Sequence, residues 1–550
     1  MSKVYETDNS SDDNREDSLK EIEIEEYQKS IIEDESPQSY KNPFLNDAFK
    51  EKYVNLYEDT KYECRSRFDE NFRWTTKAQR KLTWKLDLRV TLVACILFSS
   101  LQIDRSNLSQ AVSDNMLNDL NMTTNNFNTG NTIFYVCFLA AELPSQLISK
   151  RLGSDIWIPI QITCWSIVTI CQFKLNGKGS FYACRALLGF MEGGFIPDLI
   201  LWLSYFYTGA ELTIRLSFFW TGMYVTQIVN YLIAYGILHM RGVHGKPGWA
   251  WLFFIEGFIT LAIGISAFFL MVPSPVQTKK PWEPNGYLSE EEEKIVVNKI
   301  LRDDPSKGDM HNRQGLTIFM LWNALKDWYL WPMYLIGIVH LIPENTISSY
   351  LTLLLKQMGF STFHVNLLCI PYNALKIINL LAVARVVEWT NSIFYTILIQ
   401  PVWVITLMGV VRFWSGTLKN HWGTYAVLTV LLGAPYIHAV NVSTCSKNSQ
   451  SIKTRTVSAS LYNMFVQAGS IIGSNIYRTP DKPYYYKGNA ALFGIACSIL
   501  PIILLTKLFY VYLNKKRDAK WNAMSDEERE HYITHTTDRG SSRLDFRFAH

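Results

Sequence analysis

Twelve long apolar runs constrain this chain more than any other feature of its sequence. A helix needs about 20 apolar residues to cross the hydrocarbon core of a bilayer, and such runs recur between residues 86 and 513. We number them spans 1 to 12 and predict them at 86–106, 129–149, 156–174, 181–204, 215–238, 249–272, 328–352, 364–386, 393–413, 422–444, 456–477 and 489–513. Twelve runs could not share one soluble core, and their continuous apolar character disfavours the alternating strands of a membrane β-barrel.

The sequence therefore predicts an all-α integral membrane protein with two groups of six spans. Its predicted regions are an N-terminal tail (1–85), a first six-helix bundle (86–272), a central loop (273–327), a second six-helix bundle (328–513) and a C-terminal tail (514–550). The acidic stretch 1–50 lacks the apolar residues to fold alone, so the first tail is predicted to be largely disordered. Basic residues before span 1, after span 12 and in the central loop predict that both tails and this loop are cytoplasmic.

Several classes of function find no support in the sequence. The net charge of +4 is too small to indicate a nucleic-acid partner, and the nine cysteines show no metal-binding spacing. No catalytic motif or nucleotide-binding loop is present, so we expect neither an enzyme nor a cofactor, and no ATP-driven pump. In the central loop, residues 289–301 follow a serine cap with an amphipathic pattern, which predicts a short helix on the membrane surface.

Charged side chains within membrane spans are costly and mark functional candidates. We single out eight charged residues and two histidines: Arg105, Glu142, Arg185, Glu192, Asp198, Glu256, Glu344, Lys376, His340 and His438. In span 4, Arg185, Gly189, Glu192 and Gly193 share one helix face, where the two glycines would admit a neighbouring backbone. This face predicts either a cavity-lining charge network or a structural ion pair between helices.

Other polar groups within the spans suggest how a solute could be bound. Arg105 in span 1 could hold a carboxylate or sulfonate by two parallel hydrogen bonds, or it could lie at the aqueous boundary without a function. Glu142 and His438 are candidates for proton transfer, although each could be a structural hydrogen-bonding group. Span 11 carries a polar stripe that predicts a water-lined path or hydrogen bonds between helices: Ser460, Asn463, Gln467, Ser470 and Ser474.

Several stretches together resemble the major facilitator superfamily, and within it the fungal allantoate-permease-like branch of the anion:cation symporter family. They are LQIDRSN (101–107), AELPS (141–145), KRLG (150–153), RALLGFMEGGFIP (185–197), YFYTGAEL (205–212) and WLFFIEG (251–257). Residues 300–310, 482–485 and 520–522 are similar to yeast permeases of this branch that handle cysteine, sulfonates or inorganic sulfur anions.

The resemblance implies alternating access and proton-coupled uptake at the plasma membrane. It implies that Arg105 contacts the anion in a central cavity, and that Glu142, Arg185 and Glu192 belong to one polar network. It also places Lys150, Arg151 and Gly153 in a gating loop. The chain departs from the family pattern at Asp198, where glycine is common, and at residues 154–155 after the gating glycine.

The predicted function is thus a secondary active transporter that imports a small organic or sulfur-containing anion with protons. We predict no metal, and the partners are the anion, protons and the lipid bilayer. The predicted substrate-binding residues are Arg105, Asn107, Arg185, Asn463 and Gln467, and the proton-coupling candidates are Glu142, Glu192 and His438. Two alternatives are a proton-driven antiporter for drugs or organic solutes, and a membrane sensor, for which the tails look too short.

Overall fold

The computed structural model describes residues 42–45, 47–59, 62–305, 307–310, 318–390, 393–449, 452–536 and 540–549. These residues are mainly helical, and their one β-bridge is an isolated pair between Lys280 and Glu283. The predicted all-α fold is confirmed. The chain separates into two compact units, of which the smaller comprises the residues up to Leu92 together with Leu203–Leu212 and Val272–Asn312.

The smaller unit is built around the predicted helix of the central loop. Helix Glu290–Asp303 begins at a capping box in which the Ser289 hydroxyl accepts from the Glu292 backbone N–H. Val297 and Leu301 of this helix are buried in a cluster that also contains Phe44, Tyr57, Tyr62 and Cys64. The helix was therefore predicted correctly, but these apolar residues contact protein where a membrane surface had been expected.

Two further helices lie in the described part of the predicted N-terminal tail, at Asp47–Asp59 and Thr76–Leu86. Of the stretch 1–50 that was predicted to be disordered, residues 1–41 and 46 lie outside the described residues. Thr76–Leu86 is capped by Thr75, whose hydroxyl accepts from the Ala78 backbone N–H. The sequence analysis did not anticipate these helices.

Ion pairs join the segments of the smaller unit. Arg67 bonds to Glu293 at 2.8 Å, and Lys85 bonds to Glu292 at 2.6 Å. Burial acts to raise the pKa of Glu292, but hydrogen bonds from Lys85 and the Ser289 backbone outweigh it and the pKa lies below its usual value. Lys299 is fully buried and bonds to Glu211 at 2.8 Å. This last pair ties the central-loop helix to the segment that precedes span 5.

Every predicted span coincides with helix. Eight helices in the described part of the chain are long and apolar enough to cross a membrane. In chain order the helices of the spans are Leu92–Ser113, Thr124–Leu152, Ser154–Cys171, Lys178–Glu192 with Phe195–Ser204, Gly209–Ile237, Gly248–Leu270, Trp331–Val339 with Ile342–Gln357, Thr362–Leu368 with Ile370–Thr390, Ile393–Ile397 with Ile399–Phe413, His421–Leu432 with His438–Asn448, Ile452–Gly473 and Tyr486–Asn522.

Spans 4, 7, 8, 9 and 10 are interrupted within their predicted lengths. Span 4 is interrupted at Gly193 and Gly194, and Gly194 has a φ of +84°, a conformation that favours glycine. Span 10 is interrupted just before His438, where Pro435 provides no backbone N–H for helical hydrogen bonding. Irregular backbone at membrane depth is stable only where protein or a cavity surrounds it. We therefore expect the interrupted segments to face the protein interior or a cavity within it.

We predict that Glu211→Gln destabilises the protein because it removes the charge of the carboxylate that bonds to the buried ammonium of Lys299 at 2.8 Å. The expected loss is about 2–4 kcal/mol, since removing one partner of a buried pair uncovers a desolvated charge. The matched control is Glu283→Gln, which breaks a more exposed pair with Arg89 and should cost less than about 1 kcal/mol. Thermal unfolding of the purified proteins measures both, and equal losses would contradict the assignment.

Candidate functional site

Arg105 and Glu192 form the central ion pair of the first bundle. The Arg105 Nε donates to Glu192 Oε2 at 2.9 Å, which links span 1 to span 4. The Glu192 side chain is 1% exposed and the Arg105 side chain is 25% exposed. The Arg105 guanidinium also lies 5.1 Å from the centre of the Phe138 ring. The carboxylate is thus fixed inside the bundle while the guanidinium keeps access to a ligand.

Arg185 belongs to the same group of charges without bonding to Glu192. Its Nη2 donates to Asn131 Oδ1 at 3.2 Å, and its guanidinium lies 4.2 Å from the centre of the Phe134 ring. Phe134 also contacts Arg105, at 6.0 Å. One aromatic ring therefore bridges two guanidinium groups, as expected from the attraction of a ring face for cations.

The glycines of span 4 make this geometry possible. A Cβ atom at Gly189 would lie 2.3 Å from the Phe134 carbonyl oxygen, and one at Gly193 would lie 2.7 Å from the Phe138 carbonyl oxygen. Span 4 therefore packs with its backbone against span 2, as the Gly189 and Gly193 spacing predicted. This close approach brings Glu192 and Arg185 next to the aromatic residues of span 2.

Two buried carboxyl groups beside this network were not among the predicted site residues. Asp104 is 2% exposed and Glu256 is fully buried. The side chains of Thr169, Thr260 and Trp165 lie beside Asp104 and that of Asn230 lies beside Glu256, but among the described residues no cation forms an ion pair with either carboxyl group. Asp104 is close enough to Glu192 and to Glu256 for the charges of these acids to interact. Their positions within spans 1 and 6 were a usable signal, but the sequence did not show that they meet.

Glu142 lies apart from the ion pair, beside Asp198. Both are buried, and the Ser145 hydroxyl donates to Asp198 Oδ2 at 3.3 Å. The expected gating loop follows on the same side of span 2. There Gly153 ends helix Thr124–Leu152 with a φ of +95° and donates its N–H to the Ser149 carbonyl at 2.8 Å. Arg151 is exposed, whereas the side chain of Lys150 lies outside the described residues.

The other predicted site residues are spread over spans 1, 10 and 11. Asn107 is buried, but it lies two positions after Arg105 and therefore on another face of the helix. His438 is buried against the rings of His340, Tyr436 and Tyr462, and Asn463 lies beside it. Asn463 and Gln467 are half-buried on span 11. Near them, a Cβ atom at Gly469 would lie 2.1 Å from the Ile338 carbonyl oxygen, so spans 7 and 11 are tightly packed.

The second bundle contains a buried ion pair of its own. Lys376 of span 8 donates to Glu344 Oε2 of span 7, and Gln400 of span 9 donates to Glu344 Oε1. All three side chains are buried, and the Lys376 ammonium lies 5.7 Å from the centre of the Tyr436 ring. The sequence identified both charges, but it gave no reason to pair them beyond their opposite signs on consecutive spans.

Neutral hydrogen bonds join the two bundles at one end of the spans, and we call them the closing contacts. Asn128 donates to the Tyr477 carbonyl at 2.6 Å and accepts from the Tyr350 hydroxyl. At the same end, Asn475 donates to Thr132 at 2.9 Å. Further bonds run from Thr352 to the Ser109 carbonyl and from Thr362 to the Ser113 carbonyl. The two bundles are therefore in contact where span 1 ends and span 2 begins.

Comparison with known proteins agrees with this architecture. Residues 94–474 match the model of the Major Facilitator Superfamily. The chain belongs to this superfamily. An uncharacterized transporter of Saccharomyces cerevisiae is 45% identical over 512 residues, which cover 92% of this chain and 94% of the relative. An uncharacterized transporter of Schizosaccharomyces pombe is 27% identical and covers 80% of this chain and 85% of its own length.

Solved structures confirm the major facilitator fold. The xylose transporter from E. coli, in a partially occluded inward-open conformation, aligns with a TM-score of 0.57 at 13% identity, over 77% of this chain and 97% of its own. A bacterial homologue of human drug peptide transporters aligns with a TM-score of 0.55 at 10% identity, over 78% and 99%. The protein is therefore a membrane transporter of this superfamily, with twelve spans in two bundles.

We predict that Gly189→Ala disrupts the packing of span 4 against span 2. The added methyl group would overlap the Phe134 carbonyl, and overpacking of this kind costs about 1–3 kcal/mol. Gly222→Ala in span 5 is the matched control, because no heavy atom lies within 4 Å of a Cβ atom there. The melting temperatures of the two variants in detergent test this, and an unchanged value for Gly189→Ala would contradict the close helix contact.

Proposed function

We propose that this transporter imports a small oxyanion together with protons across the plasma membrane. The substrate class is a sulfonate, a sulfate-type anion, cysteine or an allantoate-like carboxylate, in line with the resemblance to the allantoate-permease-like branch. The observation that carries this proposal is a partly accessible guanidinium, that of Arg105, held by the buried carboxylate of Glu192 at 2.9 Å.

The hydrogen-bonding capacity of Arg105 supports an anionic ligand. A guanidinium has five N–H donors, and the bond from Nε to Glu192 is its one hydrogen bond among the described residues. The Nη groups are therefore available to a carboxylate, sulfonate or sulfate in the bidentate geometry that arginine favours. Arg185 adds a second positive charge nearby, so Glu192 alone does not balance the local charge.

The three buried acids supply a route for coupling to protons. A buried carboxylate without a cation bonded to it is costly, and a proton removes that cost. Asp104 and Glu256 have neutral donors beside them but no ion-paired cation among the described residues. Asp104 also lies beside Glu192, the partner of Arg105. We propose that the number of protons bound to Asp104, Glu192 and Glu256 changes when an anion binds to Arg105. Glu142 and His438 are competing candidates for the coupling site.

The closing contacts support transport by alternating access. With both tails on the cytoplasmic side, as the basic flanking residues predict, span 1 ends at the outer surface. The contacts between Asn128, Tyr350 and Tyr477 would then close the outer end of the pathway. In this proposal, import requires these contacts to break so that Arg105 becomes accessible from outside.

The decisive experiment is uptake of labelled sulfate, taurine, cysteine and allantoate in cells that lack related permeases. At least one of these substrates should accumulate. We predict that Arg105→Ala then lowers its uptake by about a hundredfold, because truncating one partner of a desolvated charge contact typically costs 2–5 kcal/mol. Arg412→Ala is the matched control, because Arg412 lies at the end of span 9, over the ring of Phe413.

Two results would contradict the proposed function. One is the absence of uptake for all four compounds by the normally expressed wild-type protein. The other is normal uptake by Arg105→Ala with an unchanged apparent affinity. Import of a neutral substrate, or export of organic solutes driven by an inward proton gradient, would favour the antiporter alternative.

We also predict that Asp104→Asn separates transport from proton coupling. In proteoliposomes, an inward proton gradient should no longer drive accumulation, while exchange of labelled for unlabelled substrate persists. The reason is that the amide keeps the size of the side chain but cannot change its charge. Glu142→Gln is the matched comparison at a buried acid outside this group. If that variant loses gradient-driven uptake and Asp104→Asn retains it, coupling resides at Glu142.

A further inference from the structure

The Lys376–Glu344 ion pair of the second bundle has a binding capacity that the protein itself leaves unused. Both carboxylate oxygens of Glu344 are occupied, one by Lys376 and one by Gln400. An ammonium group has three N–H donors, and the bond to Glu344 is the one hydrogen bond of Lys376 among the described residues. The ammonium therefore has donors to offer, while each carboxylate oxygen already accepts one hydrogen bond.

The aromatic residues around this pair strengthen the preference for an acceptor. Tyr224 and Tyr436 are close enough to Glu344 to interact with its charge, and the Lys376 ammonium lies 5.7 Å from the centre of the Tyr436 ring. The two rings are 5.8 Å apart and nearly perpendicular. Two hydroxyl donors and the spare ammonium donors thus surround one small region.

This region lies between the bundles and not on the lipid-facing side. Tyr224 and Trp220 belong to span 5 of the first bundle, and both contact Tyr436 of the second bundle. Span 5 also contacts span 1, because Asn230 donates to Ser106 at 2.6 Å and Thr226 pairs with Ser99 at 2.8 Å. Ser106 is the residue after Arg105, so span 5 bridges the helix of Arg105 and the surroundings of Lys376.

We propose that Lys376 is a second oxyanion contact of the transport site, and that the preferred substrate is a small divalent oxyanion. One anionic group binds Arg105 in the first bundle, and the other binds the spare donors of Lys376 with the Tyr224 and Tyr436 hydroxyls. Glu344 positions the ammonium, as Glu192 positions the guanidinium. This inference rests on the proposed function and adds the charge of the substrate to it.

The groups around Arg105 and those around Lys376 together explain why we expect a second negative charge on the substrate. When Asp104 and Glu256 are protonated, Arg105 and Arg185 face one ionised carboxylate, Glu192, so the first bundle then has a surplus positive charge for one anionic group. In the second bundle, Lys376 and Glu344 balance each other, and the remaining polar groups are donors. A monovalent anion would use the first set and leave the second unsatisfied, whereas a divalent oxyanion uses both.

Sulfoacetate and methanesulfonate are suitable probes, because they share a sulfonate and differ by one carboxylate. Ligand-induced thermal stabilisation of the purified full chain, at constant ionic strength, gives an apparent affinity for each. The wild-type protein should bind sulfoacetate about tenfold more tightly, as expected for one added charge-assisted contact. Lys376→Gln should reduce this preference to about twofold or less without weakening methanesulfonate.

A double variant controls for destabilisation caused by an unpaired buried charge. Lys376→Gln alone leaves the buried Glu344 without its cation, so the double variant Lys376→Gln with Glu344→Gln restores a neutral pair of similar size. It should also lose the preference for sulfoacetate. Lys507→Gln is the matched control: Lys507 lies over the ring of Tyr395 near the other end of the same bundle, and this variant should bind both probes as the wild type does.

Each outcome decides between the two proposals. The inference is wrong if the wild type binds both probes equally, binds neither, or keeps its preference in the double variant. The proposed function still stands in the first and third cases if Arg105→Ala weakens both probes. If Arg105→Ala leaves both affinities unchanged, the anion contact itself is wrong and both proposals fail.

Discussion

The ion pair between Arg105 and Glu192 is the constraint on which the polar interior of the first bundle depends. A guanidinium within membrane spans is stable only if a counter-charge or a ligand balances it. Glu192 provides that charge from span 4, and it reaches span 1 because Gly189 and Gly193 let span 4 approach span 2 closely. Packing and electrostatics are therefore linked, since larger residues at these positions would move the carboxylate.

The same ion pair also sets how an anion would be bound. A substrate on Arg105 competes with Glu192 for the guanidinium, and a carboxylate that loses its cation in a buried site becomes costly. Asp104 interacts with the charge of Glu192, so a change of charge on one carboxyl group shifts the protonation equilibrium of the other. Anion binding and protonation thus act on one small group of atoms, without a relay over a long distance.

The sequence was sufficient for the fold and for the individual charges, but not for their partners. Each of the twelve apolar runs coincides with helix, and the spacing of Gly189 and Gly193 predicted a helix contact that the structure contains. The Arg105–Glu192 and Lys376–Glu344 pairs could not be predicted, because each depends on the rotation of two helices that are separate in sequence. The cluster of Tyr57 with Val297 was missed for a similar reason, since its members lie about 240 residues apart.

The charge-bearing groups and the closing contacts divide the work of transport between them. The closing contacts formed by Asn128, Tyr350, Tyr477 and Asn475 are neutral hydrogen bonds, and net contributions of such bonds are about 0.5–1.5 kcal/mol each. Contacts of this strength can break and re-form without moving a charge across the bilayer. In the proposed mechanism, the energy difference that drives the conformational change comes from the ion-paired site, where the anion and the proton would alter the charge balance around Arg105.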